Sequence, residues 1–166
     1  MSFDKLWAPW RIEYITNPKE EGCFFCQYPR ENDDQKRLIL YRGKHSFVIM
    51  NYYPYNNGHL MIAPYQHTSE LAELTAQERL EIFTLLDKAV TILRETMQAE
   101  GFNIGLNLGA VAGAGVKDHL HFHIVPRWQG DTNFMPVLGH TKVISEGLRE
   151  TYLKLREKFA TLQLND

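Results

Sequence analysis

Residues 119–128 read His119, Leu120, His121, Phe122, His123, Ile124, Val125, Pro126, Arg127, Trp128, with three imidazoles at alternate positions of an otherwise apolar run. Successive side chains on a strand point to opposite faces, so the three rings share one face while Leu120, Phe122 and Ile124 share the other. Three rings that titrate near neutral pH, gathered on a half-buried surface, suit a metal, an anion or nucleophilic attack on an electrophile. The plain alternative is three satisfied or exposed histidines on a half-wet strand.

Strand and helix signals around this run predict an α+β domain. LILYR (38–42) and SFVIM (46–50), separated by Gly43 and Lys44, read as a hairpin, and HLMIA (59–63) as a third strand. Thr75 followed by Glu78 has the spacing of a capping box. Beyond it, Leu80, Phe83, Leu86, Val90, Leu93 and Met97 recur at helical spacing, and Gly101 is expected to stop the helix. Residues 102–108 and 120–126 read as two further strands joined by a glycine-bearing loop from Gly109 to Asp118. Ser145 is expected to open a last helix carrying Leu148, Tyr152, Leu155 and Phe159. Residues 27–37 read as a surface loop. This order predicts a mostly antiparallel five-stranded sheet, with a long helix after the third strand and helices covering one face.

Composition narrows the function classes. The chain has 166 residues, 44% of them hydrophobic, which suffices for one sizeable core and argues for one domain. A net charge of −2 without a basic cluster argues against nucleic acid as the main ligand and leaves small phosphorylated molecules open. No segment has the length and apolarity of a membrane span, and MSFDKLWAPWR lacks a signal-peptide pattern, so the expected location is cytoplasmic.

Three further constellations accompany the histidines. Cys23 and Cys26, the only cysteines, have the spacing of two thiolates on one zinc, with His67 as a candidate third ligand. A redox pair or two inert thiols are the alternatives. Residues 107–116, NLGAVAGAGV, are small enough for backbone N–H groups to approach an anion, although most such turns are only turns. Residues 50–59, MNYYPYNNGH, offer an amide and aromatic rings suited to a ribose or base, or form an ordinary Asn/Gly/Pro loop.

The stretch HLHFHIVPRW resembles the signature of the histidine triad (HIT) family. IMNYYPYNNGHLMIAPYQH and GLNLGAVAGAGVKDHLHFH are similar to that family's nucleotide-binding blocks. LWAPWRIEYI and PRWQGDTNFM resemble particularly a bacterial branch containing dinucleoside polyphosphate phosphorylases. The resemblance covers about residues 22–135. It divides the chain into an N-terminal extension (1–21), a HIT domain (22–135) and a C-terminal strand and helix extension (136–166) packing on the same domain.

This resemblance implies a two-fold homodimer that cleaves at the α-phosphate of dinucleoside polyphosphates or related adenylylated compounds, through a nucleotidyl-histidine. His121 falls on the nucleophile's position, with His123 and the amides of Gly113, Ala114 and Gly115 steadying phosphate oxygens. Asn51 matches a ribose contact, His59 a supporting histidine and Asn107 a polar contact to substrate. Zinc-containing relatives imply Cys23, Cys26, His67 and His119 as ligands of a closed, structural zinc, with no organic cofactor. Ala114 and Gly115 stand where many relatives carry side-chain donors. Water and phosphate therefore both remain candidates for the second nucleophile, and adenosine phosphoramidate remains a candidate substrate. Two rivals differ in class: a metallohydrolase in which His119 and His121 share a catalytic zinc, and a nucleotide-binding adaptor with little turnover.

Overall fold

A computed structural model describes residues 22–133 and 142–164 of the chain. Five strands, β1 (Ile39–Arg42), β2 (Ser46–Met50), β3 (Leu60–Pro64), β4 (Gly101–Leu106) and β5 (Phe122–Arg127), form one sheet in the order β1-β2-β3-β5-β4. Every ladder is antiparallel. Helices α1 (Phe24–Gln27) and α2 (Asp34–Arg37) precede the sheet, α3 (Ala76–Met97) joins β3 to β4, and α4 (Leu148–Phe159) follows β5.

Strand β2 is buried along its whole length, and its alternation splits the core in two. Val48 and Met50 join Leu40, Leu60, Ile62, Leu120 and Ile124 beneath the long helices. Phe47 and Ile49 join Ile39, Met61 and Ala63 on the other face, where Phe25 covers them. Each such large side chain contributes about 2 kcal/mol on leaving water. The sheet is therefore covered on both faces, by α3 and α4 on one and by the short N-terminal turn on the other. The expectation of cover on one face only missed that turn, because four residues carry no helical periodicity.

The Thr75–Glu78 capping box forms as expected, with Glu78 N–H donating to Thr75 Oγ1 (3.2 Å) and Thr75 N–H to Glu78 Oε2 (2.7 Å). The buried stripe of α3 is Ile82, Leu85, Leu86, Ala89, Ile92 and Leu93. Leu80 and Phe83, expected inside, are 71% and 64% exposed. Two apolar stripes share this helix, and spacing alone selects between them poorly. Gln98 in the left-handed region ends α3, while Gly101 starts β4. Strands 102–108 and 120–126 shift to Gly101–Leu106 and Phe122–Arg127, and α4 starts at Leu148 rather than Ser145. The loop expected over 27–37 contains two short helical turns, Tyr28–Arg30 and α2. Arg42 holds them by donating to Pro29 O, Glu31 O and Asp34 Oδ1. Residues 1–21 of the N-terminal extension lie outside the described residues, and residues 142–164 contain a helix and no strand.

The outer edge of β1 is sealed by α4, whose Tyr152 Oη–H donates to Ile39 O (3.2 Å) and Arg156 to Leu40 O (3.0 Å). The β1–β2 turn is held from α3, because Glu81 accepts from the N–H groups of Lys44, His45 and Ser46 and from Ser46 Oγ. A Cβ on Gly43 would lie 2.3 Å from Glu81 Oε1 and 2.9 Å from Ser46 O, so any residue but glycine there would displace Glu81 or the turn. These ties fix β1 and β2, and through the β2–β3 ladder they support β3, which pairs with the histidine strand β5.

Candidate active site and metal cluster

His119 and His121 lie just before β5 and His123 lies within it, yet the alternation extends through all three. Leu120 and Ile124 enter the helix-covered core. The rings of His119 and His121 face the opposite side, 5.2 and 4.8 Å from the Phe25 ring centroid. His123 sits opposite Met61 on β3 and Gly105 on β4, so the strand beyond it carries no side chain to crowd its ring. All three histidines are buried.

Backbone carbonyls and amides determine which nitrogen of each ring carries the proton. A neutral imidazole has one N–H, so a partner that can only accept, or only donate, at one nitrogen assigns the other. His121 Nδ1 lies 2.8 Å from His119 O, a carbonyl that accepts only, so Nδ1 is protonated and Nε2 keeps its lone pair. His59 Nδ1 accepts from Tyr55 N–H (3.0 Å), which puts the His59 proton on Nε2, 2.9 Å from His123 Nδ1. His123 Nδ1 therefore accepts, and its proton resides on Nε2. His119 Nε2–H donates to Pro64 O (2.9 Å), leaving Nδ1 as its donor atom.

Burial keeps these rings neutral. It pushes His59 down to about 3, with neighbouring His123 and His121 adding to the effect, and His123 down to about 4, with His121 adding. His119 falls to about 4, chiefly through burial. His121 is also lowered by burial, offset in part by the His119 carbonyl. A cluster of neutral imidazoles supplies lone pairs and N–H donors without repelling itself.

His119 Nδ1 meets a second group of side chains: Cys23 Sγ at 3.3 Å, Cys26 Sγ at 3.5 Å and His67 Nδ1 at 3.2 Å, while Cys26 Sγ and His67 Nδ1 are 3.3 Å apart. The four ligand atoms all lie within 4.8 Å of one another, an arrangement that could hold a metal ion. Nitrogen and sulfur atoms 2.0–2.3 Å from a tetrahedral centre are separated by about 3.3–3.8 Å, close to the separations of 3.2–3.5 Å among His119, His67, Cys26 and Cys23 just given. Burial and the adjacent Cys23 raise the Cys26 thiol, an energetic cost that a bound cation removes. Among the described residues His121 is not part of this group, and its Nδ1 is committed to a carbonyl. The grouping thus takes in His119 without His121, whose Nε2 points to a separate role.

The remaining predicted residues divide. Asn51 joins the histidine array, with its Nδ2 3.4 Å from His59 Nδ1, and its Oδ1 accepts from Tyr53 N–H (2.9 Å). Asn107 Nδ2 instead reaches Gly113 O at 3.5 Å, bracing the glycine-rich loop. Gly113 and Gly115 are exposed and Ala114 is half-buried, in a loop whose tip, Val111, is fully open to solvent. Among the described residues no hydrogen bond joins this loop to the three histidines. Sequence reasoning missed the Pro64 carbonyl, which carries no side-chain signal, and Asn56 and Asp131, whose partners lie far away in sequence.

Residues 32–130 match the sequence profile described as the HIT domain. The chain is 39% identical over 165 residues to AP-4-A phosphorylase of Mycobacterium tuberculosis, covering 94% of this chain and 84% of that protein. It is 31% identical over 123 residues to the asymmetrical bis(5'-nucleosyl)-tetraphosphatase of Schizosaccharomyces pombe, covering 74% and 67% respectively. A zinc-bound histidine triad family protein from Mycobacterium smegmatis superposes with a TM-score of 0.67 at 25% identity, over 84% of this chain and 94% of that one. With the three histidines on one face, the capped helix after β3 and these similarities, the chain belongs to the histidine triad (HIT) family.

Proposed function

We propose that this protein is a nucleotidyl hydrolase or transferase acting at the α-phosphate of dinucleoside polyphosphates such as Ap4A, with His121 as nucleophile. The observation that carries this reading is the His121 Nδ1 to His119 O hydrogen bond, which leaves a buried, neutral Nε2 lone pair. The Nε2 lone pair forms a bond to the α-phosphorus as the bridging P–O bond breaks, and the bond's electron pair leaves with the nucleoside polyphosphate. Positive charge then develops on the His121 ring, where the His119 carbonyl already faces the remaining N–H. His123 Nε2–H donates to a phosphate oxygen, its direction set by His59 through Nδ1. In the second step an oxygen nucleophile attacks phosphorus, the P–N bond breaks and the lone pair returns to His121.

Phosphate as that second nucleophile is favoured by the 39% identity to a protein named AP-4-A phosphorylase. Ala114 and Gly115 place no side-chain donors there, and the N–H groups of Gly113 and Ala114 are spent on Ala110 O (3.0 Å) and Gly109 O (3.4 Å), so the Gly115 N–H would receive the incoming anion. Turnover through a covalent intermediate, rather than binding alone, separates this reading from an adaptor.

The Cys23, Cys26, His67 and His119 set is proposed to hold a structural zinc. Two sulfurs and two imidazole nitrogens suit zinc, and four protein ligands leave no position for substrate. The ion would tie the N-terminal turn to the sheet. Two free thiols suit a reducing, cytoplasmic setting, and among the described residues no helix is long and apolar enough to cross a membrane. A homodimer is proposed through β4. Its sequence GFNIGL is an uncharged edge, Ile104 is 48% exposed, and the exposed Phe83 of α3 contacts Phe122 of the neighbouring β5. An unpaired edge of this kind ordinarily requires cover.

Four outcomes test these statements. Incubated with Ap4A and quenched rapidly, the wild type should carry a nucleotidyl adduct, and His121→Ala should show at least a ~10⁴-fold loss of turnover with nucleotide binding retained. Adding phosphate should convert the AMP product to ADP, and a His121→Ala variant of near-wild-type activity would remove the nucleophile. Cys23→Ser should lower zinc per chain and the unfolding temperature, whereas unchanged zinc content would exclude Cys23 as a ligand. Ile104→Lys should shift sedimentation from dimer to monomer, and an unaltered dimer would place the interface elsewhere.

A further inference from the structure

Loop 51–59, which carries Asn51, Tyr55 and His59, is held by a polar clasp remote from the three histidines. Asn56 is buried, and both of its side-chain N–H groups are used, donating to Pro126 O (3.0 Å) and to Asp131 Oδ2 (2.9 Å). Asp131 is the hub. Its carboxylate also accepts from Arg127 Nε (2.6 Å) and Nη2 (3.0 Å), Trp128 N–H (3.2 Å) and Thr132 Oγ1 (3.0 Å). Lys142 Nζ lies 3.8 Å from Asp131 Oδ1. The Asp131 side chain is only 6% exposed. This is a costly arrangement unless every oxygen is partnered, as here.

The clasp reaches His59 through two adjacent backbone groups. Asn56 O accepts from His59 N–H (3.2 Å), and the preceding residue, Tyr55, donates its N–H to His59 Nδ1 (3.0 Å). The Tyr55 ring also lies 4.6 Å from the His59 ring and 5.7 Å from the His123 ring. The same turn is tightened by Gly58, at φ +69, where a Cβ would lie 2.6 Å from Met97 Sδ. Asn57 holds Ser145 on the far side through two hydrogen bonds. The loop therefore has little freedom, and what freedom it has is removed at Asn56.

We infer that Asn56 and Asp131 are positioning residues that fix the His59 ring, and through it the tautomer and direction of His123, by locking the Tyr55 N–H onto His59 Nδ1. The inference rests on the reading that His123 serves the phosphate. Without the clasp, Tyr55 N–H drifts from His59 Nδ1, either nitrogen of His59 can hold the proton, and His123 Nε2 loses its obligatory donor role. Misplacement of about 1 Å at such a distance from the chemistry can cost about 10²-fold in rate.

The test measures Ap4A turnover by Asn56→Ala, His59→Ala and the double variant, with ¹⁵N-histidine spectra of the full chain. Asn56→Ala should lower kcat by at least about tenfold with KM within about threefold, and should replace single His59 and His123 tautomers by mixtures. The double variant should match His59→Ala within about twofold, because the clasp acts through His59. Losses that multiply, or a kcat per folded molecule unchanged while only thermal stability falls, would overturn the inference. Should Asn56→Ala fold poorly, Asp131→Asn, which preserves shape, should give the same tautomer mixture and a smaller fall in kcat; wild-type spectra and kcat would overturn it equally. A fully active His123→Ala would refute the phosphate role of His123 alone, while the spectra of Asn56→Ala still decide whether the clasp orders the rings.

Discussion

A single hydrogen bond, from His121 Nδ1 to the carbonyl of His119, constrains the chemistry that this site can perform. A neutral imidazole has one proton and two nitrogens, so an acceptor fixed at one nitrogen makes the other a base or nucleophile. The carbonyl is fixed because His119 is itself held at several points: its Nε2 by Pro64 O, its Nδ1 in the Cys/His cluster, and its ring against Phe25. The same residue thus belongs to the candidate metal cluster and orients the candidate nucleophile. Alternate positions of one strand serve adjacent centres without sharing an atom between them.

The sheet provides the precision. Antiparallel pairing places Met61 and Gly105 on either side of His123, and the Phe25 turn covers the face to which the histidines point. Their burial removes charge from the cluster, which is why four imidazoles can pack together at all: His59, His119 and His123 all remain uncharged well below the ordinary range of histidine. Neutrality is in turn what both the attacking nitrogen of His121 and the accepting Nδ1 of His123 require. Around this buried cluster the 107–116 loop is more open and is braced chiefly by contacts within itself.

Much of this was legible in the sequence wherever periodicity or spacing carries the information. Alternation in 119–125 places three rings on one face even where the ladder has not yet begun, and Thr75 with Glu78 locates the start of the long helix to the residue. The Cys23–Cys26 spacing suggests a metal pair with His67 as a candidate ligand, the family resemblance adds His119, and those four side chains do converge. Helix α3 shows the limit: Leu80 and Phe83 fit an apolar stripe as well as Ile82 and Leu85 do, and only the packing against β2 and β3 selects between them. Asn56 and Asp131 show another limit. Their pairing spans 75 positions and concerns polar residues, for which hydrophobic pattern contains no signal.

The most direct measurement of the central claim is the tautomer and protonation state of His121, followed by ¹⁵N spectroscopy of histidine-labelled protein between pH 8 and 5. The account predicts a protonated Nδ1 and an unprotonated Nε2 at neutral pH, with the ring taking its second proton only below the ordinary histidine value of about 6.5. A ring that carries its proton on Nε2 at pH 7, or that is already charged there, would contradict it.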